Sequence, residues 1–204
     1  MRWLLKLLSL LFIASSLCAC ATTTLKDTWR NPAVAKVRVH KLVVVSIGKK
    51  DANRRIYEEV IASELKQRGL EALAGYQVLP GDAKLDTPMF QSALNKVAAE
   101  AVLTVQTMKV ERQTVVHPGT YPGYWYPNEF PSWSLYGYYD AMYYEPPYTS
   151  TYDLATIQVN LFETGSGKLI WAATLQSIDP GQTIAVSKDV ARIVAEELTK
   201  AGMM

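Results

Sequence analysis

The sequence predicts a single α/β domain (α+β, a mixed sheet) with five strands and about three helices, in the order β-α-β-α-β-(insert)-β-β-α. Three observations predict it. Leu42-Val43-Val44-Val45 is an unbroken apolar, β-branched run, the mark of a strand covered on both faces. Two segments of helical period alternate with strand-like segments in the first half of the chain, which suits parallel crossovers of right-handed sense. Two runs of period two flank a Gly-rich turn in the second half, which suits an antiparallel hairpin.

The chain opens with Arg2 and Lys6, then an apolar run from Leu7 to Leu17. That run is short for a spanning helix, which needs roughly 20 apolar residues, and suits a signal peptide. Leu17-Cys18-Ala19-Cys20 resembles the bacterial lipobox, with Cys18 a slight departure at its middle position. The resemblance implies cleavage after residue 19, a lipidated Cys20 carrying acyl chains such as palmitate, and an anchor in the membrane. Several acyl chains at about 0.8 kcal/mol per methylene would hold it there. Ala21, rather than Asp, implies the outer membrane, on its periplasmic face. Residues 20–28, Thr-rich and polar, are read as a lipidated tether, and residues 29–202 as the periplasmic domain.

Composition narrows the function. Both cysteines lie at Cys18 and Cys20, so the domain is expected to hold no disulfide and no thiolate metal site. Without Arg2 and Lys6 the basic side chains balance the 19 acidic ones. That near-neutral balance gives no footprint for nucleic acid.

Trp29 is expected to plug the domain by packing against it. The first strand should span Val37 to Ile47. A helix from Asp51, its expected N-cap, to Arg68 places Ile56, Tyr57, Val60, Ile61 and Leu65 on one face and leaves Arg54, Glu58, Glu59 and Lys66 as a solvated face. Gly69 reads as its C′ residue. Leu70 to Val78 reads as the second strand. Thr87 and Pro88 start the second helix, with Phe90, Leu94, Val97 and Ala98 as its buried stripe. Ala101 to Val110 is the third strand.

The chain then changes character. Residues 114–151 form an insert rich in Tyr, Pro, Gly and Trp, and ten of the 12 tyrosines fall between Tyr121 and Tyr152. Loops of this length are functional or disordered. Its aromatic residues either pack over the sheet or bind a partner, since Tyr and Trp supply rigid contact area with a polar tip. Tyr121, Tyr124, Trp125, Tyr126, Trp133, Tyr136, Tyr138 and Tyr139 are its candidate binding residues.

Asp153 to Glu163 and Leu169 to Ser177 form the last two strands around the turn Thr164 to Lys168. One register would align Thr156, Gln158 and Asn160 with Thr174 and Gln176, and Thr104 and Gln106 would extend that uncharged surface. Gln158, Asn160 and Gln176 join the candidate binding set. A final helix from Thr183 to Ala201 buries Val186, Val190, Ile193, Val194 and Leu198, and Gly202 stops it.

Trp29-Arg30-Asn31-Pro32, Val43 to Ile47, Arg54 to Glu58, Gly75 to Pro80 and the Tyr/Pro-rich insert together resemble a family of bacterial outer-membrane lipoproteins with no assigned activity. The element order is also similar to small periplasmic α/β domains, such as those of curli-secretion and penicillin-binding-protein-activating lipoproteins. These resemblances imply a fold and a location and supply no site residues.

No catalytic constellation is legible. Gly165-Ser166-Gly167-Lys168 lacks the flanking residues of a phosphate loop, because Phe162 and Leu169 stand where Gly and Ser or Thr are needed. His40 and His117 have no partner at ligand spacing. Ser63 and Ser92 lie on helices without a nucleophile elbow. The expected function is a non-catalytic binding or assembly module with a protein or glycan partner and no cofactor. An enzyme acting on envelope glycan or peptide, and a purely structural lipoprotein, are the alternatives.

Overall fold

The computed structural model describes residues 23–34, 37–48, 51–79, 87–117 and 148–204. Within them lie six strands and four helices: β1 (Thr23–Arg30), β2 (Lys41–Ile47), α1 (Asp51–Gln67), β3 (Glu71–Ala74), α2 (Gly75–Val78), α3 (Thr87–Lys96), β4 (Ala101–His117), β5 (Tyr148–Glu163), β6 (Leu169–Ile178) and α4 (Thr183–Lys200). All six strands form one mixed sheet in the order β1-β6-β5-β4-β2-β3. The pairs β2–β3 and β2–β4 are parallel, and the pairs β4–β5, β5–β6 and β1–β6 are antiparallel.

The mixed α/β class holds, and the five-strand, three-helix count is corrected to six and four. The added strand is β1, which begins at Thr23 inside the stretch read as a tether and pairs along β6 from Thr23–Ser177 to Arg30–Trp171. It is polar because it is an edge strand with little to bury; Leu25 is its one apolar contribution to the core. The added helix is the single turn α2, which replaces the second half of the expected strand Leu70 to Val78.

The main core lies on one face of the sheet. Leu42 and Val44 of β2, Leu103 and Val105 of β4, Ile157, Val159 and Leu161 of β5, and Trp171 and Leu175 of β6 meet Ile61 and Leu65 of α1 and Val190, Val194 and Leu198 of α4. The central placement of Leu42 to Val45 is as expected, and Leu42, Val43 and Val44 are wholly buried. On the opposite face α3 covers only one corner, where Leu94 packs with Val43, Ala99 and Val102.

The buried face of α1 is rotated from the expected stripe. Glu58, Ile61, Ala62 and Leu65 are its buried residues, whereas Ile56 is exposed. The reading of Glu58 as solvated is therefore corrected. Its Oε1 accepts the Ser46 N–H at 3.0 Å, and its Oε2 accepts the Tyr76 N–H at 2.6 Å. Arg54 Nη1 stands 3.6 Å from Oε1. Burial pushes the Glu58 carboxyl above its ordinary range, against the pull of the two amides and Arg54. This carboxylate is why the chain leaves β3 after Ala74: capturing the Tyr76 amide turns Gly75 to Val78 into a helical turn. Gly75 is required there, because a Cβ would lie 2.8 Å from the Val44 carbonyl oxygen.

Asp51, expected as the N-cap, is held by Arg54 and Arg55 at 2.7 and 2.9 Å, and the Arg54 guanidinium holds its carboxyl below the usual range. The other end of α1 matches expectation. Gly69 has φ +96°, and the bonds Leu70 N–H to Leu65 O and Gly69 N–H to Lys66 O make a Schellman cap. In α3, Leu94 is buried as expected, Phe90 and Val97 are half-buried, and Ala98 is exposed beyond its end. Among the described residues no helix is long and apolar enough to cross a membrane.

Candidate functional site

Beyond the corner that α3 covers, no described helix lies on the sheet's second face, and there the strands carry a mostly uncharged polar surface. It is built by register. Thr104 of β4 lies opposite Asn160 of β5, which lies opposite Ala172 of β6, and Trp29 of β1 lies beyond. The next row is Gln106, Gln158, Thr174 and Asp27; the third is Lys109, Thr156, Gln176 and Thr24. Side chains two apart along a strand share a face, so these rows form one array. At about 4.8 Å per strand step it is roughly 14 Å wide.

The alignment of Thr156, Gln158 and Asn160 with Thr174, Gln176, Thr104 and Gln106 is thus present. The side chains are also wired together. Thr174 Oγ1 donates to Gln158 Oε1 at 3.0 Å, and Gln158 Nε2 donates to Asn160 Oδ1 at 3.1 Å. The Thr104 hydroxyl donates to the backbone carbonyl oxygen of Asn160 at 3.4 Å. This relay fixes the Asn160 amide so that its Nδ2 donors, which have no protein acceptor among the described residues, stay available. Charge is confined to the borders, at Asp27, Lys109 and Glu111.

Trp29 joins this surface. It was expected as a plug, but it is 46% exposed, because the bulge at Lys26 shifts the register of β1 and puts Asp27 and Trp29 on the polar face beside Thr174 and Ala172. Its alternation with Asp27 in a Thr-rich stretch was the available signal for an edge strand. Of the expected binding residues, Gln158, Asn160 and Gln176 are brought together here. Cys20, Tyr121, Tyr124, Trp125, Tyr126, Trp133, Tyr136, Tyr138 and Tyr139 lie outside the described residues. The insert leaves and re-enters on one ribbon. The strands flanking it run on to His117 and back from Tyr148, farther than the expected limits of 114 and 151, with His117 and Tyr148 paired and stacked at 4.3 Å.

A second feature is a cleft of ≈ 690 Å³ at the carboxyl end of β2, beside the middle of β4, and the carboxyl ends of parallel strands are where ligands commonly bind. Ser46, Asn53, Arg54, Tyr57, Gln106 and Val110 are among its walls. Its cation is already engaged by Asp51 and Glu58.

The phosphate-loop lookalike is a hairpin turn. Gly167 has φ +65° and its N–H bonds Glu163 O at 2.9 Å, while Glu163 N–H bonds Lys168 O. His117 Nε2 lies 2.9 Å from Ser150 Oγ. Among the described residues no cluster of three His, Cys, Asp or Glu side chains could hold a metal.

No known family model and no curated protein sequence matches the chain. Solved structures similar to it include PelC from Paraburkholderia phytofirmans, crystallised as a dodecamer, at TM-score 0.45 and 13% identity over 85% of this chain and 96% of that one. Lipoprotein GNA1162 from Neisseria meningitidis is similar at TM-score 0.40 and 9% identity over 78% of this chain and 97% of that one. At such scores these likenesses carry no argument about function.

Proposed function

We propose that this chain is a non-catalytic binding module of the bacterial envelope, held through a lipidated Cys20 at the periplasmic face of the outer membrane, and that the amide-and-hydroxyl face of its sheet binds a neutral glycan. The observation that carries the reading is the Thr174–Gln158–Asn160 relay, in which three uncharged, half-buried side chains are pre-oriented by one another on a face that no other described element covers at these rows. Sugar hydroxyls are both donors and acceptors, and amides and hydroxyls match them without the desolvation cost of charge. Trp29 at the border offers an aromatic face for stacking. The aromatic residues of the insert, from Tyr121 to Tyr139, are proposed as further stacking partners.

The test is calorimetry of the full mature chain in mild detergent with N-acetylglucosamine oligomers. Asn160→Ala removes the end of the relay and should weaken binding about 2- to 12-fold, the equivalent of one hydrogen bond worth about 0.5–1.5 kcal/mol. Its melting temperature should stay within a degree or two, because Asn160 is only half-buried. Absence of binding by the wild type, or full affinity in the variant, would overturn the reading.

A further inference from the structure

Among the described residues the outer edge of β4 beyond Gln106 is a strand edge without a partner. β2 ends at Ile47, opposite Gln106, and beyond that point no described strand lies on this side of β4. β4 continues to His117, and its described partner over this stretch is β5, on its other side. An edge this long presents a row of N–H and C=O groups that template another strand. The ribbon is also where exposed apolar side chains gather: Met108, Val110, Val115 and Val116 are all exposed, and Val116 at 67% is the most open of them. Such concentrations mark interaction surfaces.

We propose that this edge is a homodimer interface, in which β4 pairs antiparallel with β4 of a second copy and joins the two sheets into one. The sequence of the edge selects both the occupant and the register. A two-fold axis perpendicular to the sheet pairs each residue with another on the same face, so its centre falls on a residue. Centring on Lys109, Glu111 or Arg112 would set like charges directly opposite, which is unfavourable. Centring on Val110 would run the ladder into the bulge at Met108, where the register of β4 against β5 shifts. Centring on Gln113 uses the whole bulge-free segment from Lys109 to His117.

In that register Gln113 faces Gln113, and their amides can bond each other. Arg112 faces Thr114, Glu111 faces Val115, Val110 faces Val116, and Lys109 faces His117. No like charges oppose one another.

The register also seats the exposed valine. Val110 lies on the core side of the ribbon, because its β5 partner is the buried Ala155. It lines the cleft that Tyr57 and Val105 also wall. Val116 of the second copy therefore sits beside Val110 at the mouth of that cleft, and the symmetry repeats the contact. Knob and hollow are supplied by the same chain, which favours a second copy over an unrelated strand. This inference is independent of the glycan reading.

The experiment is disulfide trapping in the full chain, extracted in mild detergent. Gln113→Cys places the new thiol opposite its own symmetry mate, at the spacing of directly opposed strand residues of about 4.5–5.5 Å, which a disulfide spans. Glu71→Cys, on the β3 edge at the other end of the sheet, is the control. On mild oxidation Gln113→Cys should become mostly covalent dimer, and Glu71→Cys and the parent chain should not. Light scattering of the parent should give twice the chain mass, and Val116→Asp should give a monomer that still melts cooperatively and whose melting temperature, unlike the parent's, does not depend on protein concentration. The proposal is overturned by a monomeric parent, by an assembly larger than a dimer, by no excess of crosslink at position 113, or by a dimer that survives Val116→Asp. It is also overturned if the β4 edge proves to be paired by the chain's own residues 118–147 or by a strand of another protein.

Discussion

Replacing Glu58 by Gln should destabilise the domain, by an amount that depends on pH in a defined sense. The carboxylate accepts one amide on each oxygen, from Ser46 and Tyr76. A carboxamide has one acceptor oxygen and one NH₂, so one of the two amides would then face a donor. A buried N–H left without an acceptor costs about 1–3 kcal/mol. Gln keeps the volume of Glu, so no cavity adds to this. For a domain of this size that loss lowers the melting temperature by about 2–12 °C. Because burial raises the Glu58 carboxyl above its ordinary 4.5, the fold favours the protonated acid. The stability it contributes is fully present below 4.5 and is lost as pH rises through the raised folded value. Gln does not titrate, so the gap between wild type and variant should narrow as pH rises through that window. Urea melts followed by circular dichroism at a series of pH values measure it. An unchanged stability would refute the role of Glu58 as the anchor of α2. A gap that widens with pH would refute the dominance of burial over the amides and Arg54.

Three further outcomes follow from the packing and the leader. Gly75→Ala should cost about 1–3 kcal/mol in a urea melt, since its Cβ would meet a backbone oxygen of β2 at 2.8 Å, and the loss should be absent if α2 can shift freely. Val44→Asp buries an unpaired charge between Ala74 and Leu103 and should abolish cooperative melting; a soluble, cooperatively melting variant would contradict the central place of β2. Cys20→Ala should leave an uncleaved or mislocalised precursor, and a mass spectrum of the wild-type N-terminus with a free amine on Cys20 would rule out the anchor.

The elements read most surely from the sequence are those whose pattern and burial agree. Leu42 to Val44, the α4 stripe from Val186 to Leu198, the alternation on β5 and that on β6 from Trp171 to Leu175 each bury the residues their periodicity selects, whereas at the start of β6 Ile170 is buried in place of Leu169. β1 was hidden because an edge strand has almost no apolar face; only its β-branched threonines and Trp29 signal it. Glu58 was hidden for a different reason. Positions 58, 61, 62 and 65 form an ideal helical stripe, but a carboxylate within it reads as solvated unless its two amide donors are known, and these come from β2 and α2, distant in sequence. The polar face was legible because period two fixes which residues share a side, and one register then places Gln158 beside Thr174. The ribbon beyond Val110 was missed because its apolar residues are exposed, so no burial pattern extends the strand.

The central claim is that the uncharged face of the sheet recognises a glycan. The side-chain NH₂ resonances of Gln106, Gln158, Asn160 and Gln176, followed by NMR during titration with N-acetylglucosamine oligomers, test it most directly. All four should shift together and saturate at one concentration, while Gln77, exposed on α2 and bonded to Glu59, stays fixed. Resonances that do not move, or a Gln77 signal that moves as far as the other four, would contradict the account.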